Sequence, residues 1–137
     1  MRIFVDTNVL IDWILNRSEF HLDAERLMSA IVNGVVDGYV SSHSLTDLFY
    51  ITRKNLTLEK RRILTLFVLA NMKVIPESQV MFDNVLNQTP FQDLEDGLQQ
   101  QCASVSNLDF VVTQNLKDFQ NTKVKAISIK DALRLLN

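Results

Sequence analysis

Short apolar runs, each stopped by a polar residue and separated by stretches of helical period, constrain the fold of this chain more than any other feature. Arg2-Ile3-Phe4-Val5 is largely β-branched or aromatic and halts at Asp6, the pattern of a buried strand. Gly38-Tyr39-Val40 halts at Ser41-Ser42, and Lys73-Val74-Ile75 halts at Pro76. Residues 109–113 and 123–129 have the same character. Between the first two runs, Val9, Leu10, Trp13 and Ile14 recur at helical spacing, as do Leu22, Leu27 and Ile31, with Gly34 closing the second helix as a C-cap. Leu45, Leu48, Phe49 and Thr52 share a further helical face. Amphipathic segments follow at 58–70, 80–86 and 93–106, and a terminal helix runs through Leu136. Strands that alternate with helices predict an α/β fold, with four or five parallel strands flanked by helices in three layers. With 137 residues and no internal repeat or linker, the expectation is one domain spanning 1–137.

Composition narrows the chemistry. A single cysteine excludes a disulfide framework and a cysteine-based zinc cluster. Asp6 interrupts the amino-terminal apolar run too early for a signal-peptide core, and no apolar run nears the roughly 20 residues that span a bilayer. The expected location is cytoplasmic, with no membrane partner. Fourteen Lys+Arg against sixteen Asp+Glu give a net charge of −2, so bulk electrostatics does not hold a polyanion here. Handling phosphate chains requires a local basic patch, a bound cation, or both.

Ligands of open parallel sheets bind beyond the carboxyl ends of the strands, and acids and amides collect there. Asp6 ends the first run, followed by Thr7 and Asn8; Asn115 follows the run ending at Thr113, and Asp118 lies three residues on. Asp47 sits in the helix after the second strand, and Asp93, Asp96 and Gln100 share one face of the 93–106 helix. Each has a structural alternative. Asp6 caps a helix, Ser44-Leu45-Thr46-Asp47 has capping-box spacing, Asp93 and Asp96 complement a helix dipole, and Asn115 and Asp118 shape a turn. All nevertheless map to one edge of one sheet. Carboxylates within about 5–6 Å of one another repel by roughly 3 kcal/mol per pair at an effective dielectric of 20. A hard divalent cation, Mg²⁺ or Mn²⁺, is the natural neutraliser, and its chemistry is phosphoester hydrolysis.

Met1-Arg-Ile-Phe-Val-Asp6-Thr7-Asn8, Ser41-Ser-His-Ser-Leu-Thr-Asp47, Phe91-Gln-Asp93-Leu-Glu95-Asp96 and Val111-Val-Thr113-Gln-Asn115-Leu-Lys-Asp118 resemble, in order, the four acidic segments of the PIN (PilT N-terminus) domain family, which includes VapC-type toxins. The resemblance implies a Rossmann-like sheet and a metal-dependent ribonuclease, leaving 5′-phosphate and 3′-hydroxyl ends, paired with a cognate antitoxin. It implies catalytic roles for Asp6, Asp47, Asp96 and Asp118, and metal ligation by Asp6, Asp96, Asn115 and Asp118. Thr7, Asn8, Asp93 and Thr113 would support them. Two positions depart from the family pattern: Asp47 stands where Glu is common, and Gln114 where Arg is frequent.

Arg53, Lys54, Lys60, Arg61 and Arg62 are candidate RNA-binding cations, with a solvated surface as the alternative. In this family the same region packs against an antitoxin or a second protomer of a homodimer, with Phe49, Tyr50, Leu66 and Phe67 as apolar contacts. Trp13 and Cys102 read as core, and His21 and His43 lack a partnering motif. A competing function is a binding module that keeps the fold and grips RNA or protein without turnover.

Overall fold

The computed structural model describes residues 1–120 and 122–137. Its strands are β1 (Arg2–Val5), β2 (Asp37–Ser41), β3 (Lys73–Ile75), β4 (Phe110–Val112) and β5 (Ala126–Ile127). The helices are α1 (Thr7–Leu15), α2 (His21–Val32), α3 (Ser42–Ile51), α4 (Leu58–Asn71), α5 (Gln79–Leu86), α6 (Leu94–Val105) and α7 (Ile129–Leu136). Single 3₁₀ turns cover Thr52–Lys54 and Leu116–Phe119. All strand pairs are parallel, in the order β3-β2-β1-β4-β5. The expected α/β sheet is therefore present, with five strands.

Alternation along β1 explains the three layers. Side chains two apart point to the same face of a strand. Ile3 and Val5 enter one apolar core with α1, α2 and α7, whereas Phe4 enters a second with Val85 of α5 and Leu98 and Cys102 of α6. Ile3, Phe4 and Val5 are wholly buried, which is why the run carries no polar alternation. Trp13 packs against the first core, tilted over Phe67 with ring centroids 5.7 Å apart. Cys102 lies in the second, and burial, then the charge of Glu77, pushes its thiol up to about 12.

Chain order places β2 and β3 on one side of β1 and β4 and β5 on the other. The strand sequence thus reverses between β1 and β4, opening a crevice at their carboxyl ends. Asp6 and Thr113 are the residues that follow those two strands.

Two local expectations are corrected. The run at 123–129 yields only Ala126–Ile127 as strand, because the Ser128 side chain accepts from Asp131 N and starts α7 at Ile129. Ser44-Leu45-Thr46-Asp47 is no capping box: Ser41 is the N-cap of α3, and Ser44 is fully buried one turn inside it.

Candidate metal centre

Asp6 ends β1 and, as the N-cap of α1, accepts from Asn8 N at 3.4 Å through Oδ1. Its other oxygen, Oδ2, accepts from the buried Thr113 hydroxyl at 2.8 Å, tying the ends of β1 and β4 together. Capping therefore occupies one oxygen and leaves the carboxylate anchored at the crevice. Burial raises the Asp6 pKa above 3.8, against the bonds from Thr113 and Asn8 and the nearby Gln99 amide, and Glu95 adds repulsion. Thr7 is held by Gln99 of α6, whose Oε1 accepts from Thr7 N at 3.2 Å, while Thr7 Oγ1 lies 2.7 Å from Ser44 Oγ. Asn8 turns its side chain away, accepting from Arg17 Nη2 at 3.3 Å.

The head of α6 presents the next carboxylates. Asp93 is its N-cap, with Oδ1 accepting from Asp96 N at 2.9 Å, so Asp93 fixes the turn that projects Asp96. Asp96, half-buried, lines a cleft of about 720 Å³ with Asp93, Gln100, Lys117 and Asp118. Gln100 Nε2 donates to Asp118 O at 3.2 Å, linking α6 to the 3₁₀ turn. Asn115, exposed, is the N-cap of that turn, and its N–H donates to Thr113 Oγ1 at 3.0 Å. Burial, then the charges of Asp93, Asp118, Asp6 and Glu95, push the Asp96 carboxyl up to about 7. Acids from β1, α6 and the 3₁₀ turn thus act on one another across the crevice.

A second group adjoins it. His43 and Asp47 of α3 and Glu95 of α6 offer donor atoms that all lie within 4.8 Å of one another; among the described residues no other set of three or more does. Asp6, Asp96 and Asp118 are therefore set wider around the α6 head. Glu77, just past β3, accepts from His43 N and His43 Nδ1, each at 2.6 Å, and from Ser42 Oγ at 2.7 Å. Burial lowers the His43 pKa, but the carboxylates of Glu95 and Glu77 outweigh it and hold the ring at about 9. Burial, then Glu95, raises Asp47. The carboxylates around Asp96 offer only oxygen donors, a set that suits a hard divalent cation.

The candidate RNA-binding cations lie elsewhere. They follow α3, whose ten residues span about 15 Å from its start at the sheet edge. Arg62 is paired with Glu59 at 2.5 Å. Arg53 and Arg61 stack over Tyr50 and Phe49, at 3.7 and 4.5 Å from the ring centroids. Tyr50, Leu66 and Phe67 are exposed, with Leu58, Ile63 and Leu69 beside them.

Sequence reasoning set His43 aside for want of a partnering motif, gave Glu95 only a helix-dipole role, and did not reach Glu77 or Gln99. For His43 and Glu77 the signal was present, since each lies just beyond a strand's carboxyl end, as Asp6 does. Gln99 gave none: it falls on the apolar face of α6 and shows itself only through Thr7. His21 bonds through Nδ1 to Asp12 O at 2.9 Å.

The family model of the PIN domain matches residues 2–117. No curated protein gives a significant match. Among solved structures the chain is similar to DNA-bound VapBC from Salmonella typhimurium, at 18% identity and a TM-score of 0.70, covering 94% of this chain and 98% of that one. VapBC2 from Rickettsia felis, bound to a promoter DNA fragment, matches at 20% identity and a TM-score of 0.68, covering 93% and 98%. VapC20 from Mycobacterium tuberculosis, a toxin that cleaves the sarcin-ricin loop, matches at 12% identity and a TM-score of 0.63, covering 80% and 86%. At these identities the likeness is one of fold.

Proposed function

The chain belongs to the PIN domain family, and from that premise we propose that it is a metal-dependent ribonuclease, the toxin of a toxin–antitoxin pair, folded as one domain over 1–137. The observation that carries this reading is the set of carboxylates at the β1–β4 crevice, with Asp96 raised to about 7 by burial and by its neighbours' charge. In this reading Asp6, Asp96 and Asp118, with Asn115, hold Mg²⁺ or Mn²⁺, and Asp47 extends the acidic wall. Such a cation supplies Lewis-acid polarisation of a phosphoryl oxygen and lowers the pKa of water.

The protein's own part is positioning. Thr113 pins one Asp6 oxygen, Asp93 sets the turn that carries Asp96, and Thr7 couples α1 to α3 and α6. Thr7, Asn8, Asp93 and Thr113 are then supports of the carboxylates. Lys117, in the cleft beside Asp118, meets the phosphate of the bound RNA. Arg53, Lys54, Arg61 and Arg62 give the strand a secondary hold. The exposed apolar residues of α4 meet an antitoxin or a second protomer of a homodimer, and Cys102 remains a thiol in the cytoplasm.

Incubating the purified protein with mixed RNA, in Mg²⁺, in Mn²⁺ and in EDTA, tests the reading. Cleavage in the presence of either ion, abolished by EDTA and by Asp96→Asn, is expected. Cleavage that persists in EDTA overturns the metal mechanism, and a folded protein that cleaves nothing points to the binding module instead.

A further inference from the structure

The cleft at the head of α6 has a wall that its acids leave unused. The α5–α6 connection supplies Gln88 and Gln92, Gln120 follows the second 3₁₀ turn, and all three line the cleft of about 720 Å³ with Asp93, Asp96 and Asp118. Each is exposed, and among the described residues none spends its amide on a hydrogen bond within the fold, unlike Gln100, whose Nε2 donates to Asp118 O at 3.2 Å. Phe91, between the lining residues Pro90 and Gln92, is 46% exposed. Charge decides what enters. The lining holds three carboxylates and one cation, Lys117, so a single bound divalent ion brings it only to neutrality. Such a cleft accommodates the phosphate held by the ion and does not attract a run of them. The remaining space suits the uncharged part of a nucleotide. Sites of roughly 300–1,000 Å³ enclose one small molecule, which is room for a base with its ribose and not for a duplex.

We propose that this wall is a base-reading subsite: the amides of Gln88, Gln92 and Gln120 take the edge of one unpaired nucleotide beside the scissile phosphate, and Phe91 stacks on its face. The proposal rests on the nuclease reading and names the residues that select where the enzyme cuts. A glutamine amide carries a donor and an acceptor side by side, the complement of a base edge. A paired base has its Watson–Crick edge taken and stays stacked, so only an unstacked nucleotide presents that edge to the amides. An aromatic ring at the rim holds such a base without regard to its identity. Phe91 thus gives grip, and the amides give choice.

The test is fluorescence anisotropy of end-labelled tetranucleotides of adenosine, cytidine and uridine with the full chain in Ca²⁺, an ion that fills oxygen sites, with RNA integrity followed on a gel. Affinity should differ between the tightest and weakest base by at least about fivefold, the low end for base-edge discrimination. Gln88→Ala combined with Gln92→Ala should level the three bases. Phe91→Ala should weaken all three by at least about fivefold, the low end for base–aromatic stacking. Circular dichroism melts check that the variants fold; should one not, the other carries the test. No binding, equal affinity for the three bases, or unchanged behaviour of the folded variants overturns the proposal. If the gel shows cutting, the same comparison is read from the product ladder of a mixed RNA, where cut positions that ignore base identity, or that the variants leave unchanged, overturn it. The two readings fail separately. Base-dependent binding without cleavage in Mg²⁺ or Mn²⁺ defeats the nuclease reading and leaves the subsite, whereas cleavage with base-indifferent binding defeats the subsite alone.

Discussion

Asp6 is a helix cap and, in the proposed reading, a metal ligand, two roles that substitution separates. As a cap it needs only an acceptor, which Asn keeps; as a ligand it needs its charge. Asp6→Asn should lower RNA cleavage by at least about 100-fold while leaving the melting temperature equal or higher, since a charge is removed from a repelling set. Thr113→Val should do the reverse in stability, costing about 1.5–3 kcal/mol in a denaturant melt, because the buried Asp6 carboxylate loses its 2.8 Å donor. Asp96 predicts a pH dependence. An acid raised from 3.8 to about 7 binds its proton more tightly in the folded state, so metal-free stability falls as pH rises from about 4 to about 7. Because Asp96 is partly exposed, solvent screening limits this to on the order of 1–2 kcal/mol. His43, raised from 6.5 to about 9, contributes stability that is complete below about 6.5 and lost as pH rises through 9. Melts in EDTA from pH 4 to 9 should show both declines, and Asp96→Asn should shrink the first, to which the raised Asp6 and Asp47 also contribute, and leave the second.

Close approach of α5 to α6 sets the height at which Asp96 projects. Gly97, next to Asp96, has no room for a side chain: a Cβ there would lie 2.4 Å from Val85 Cγ1. Gly97→Ala gains about 1 kcal/mol of helix propensity but incurs overpacking of about 1–3 kcal/mol. A net fall in melting temperature is expected, relieved in part by adding Val85→Ala. Elements such as β1 and α6 were legible because periodicity and caps agree with their final environment. The end of the chain was not, because Lys123 to Val124 and Ser128-Ile129 have strand-like composition, and only the Ser128 cap turns the latter into helix. Ser44 was misread for a related reason. Its spacing to Asp47 fits a cap, but the helix had already begun at Ser42, and the hydroxyl serves Thr7 and Ser41 instead.

Across the whole molecule, a parallel sheet whose order reverses between β1 and β4 delivers distant acids to one crevice. Asp6, Asp96 and Asp118 were readable because each follows a strand or opens a helix at the same edge. The His43–Glu77 pair was not, since 34 residues and two helices separate its members, and only the β2–β3 pairing brings their strand ends together. In the proposed reading the exposed apolar face of α4 is a surface for protein contact. In the proposed reading the crevice acids hold a divalent cation. Titrating Mn²⁺ into the protein and following the free ion by electron paramagnetic resonance measures this directly. Saturable binding that Asp6→Asn and Asp96→Asn each weaken by at least tenfold is predicted; unchanged Mn²⁺ affinity in both folded variants would contradict it.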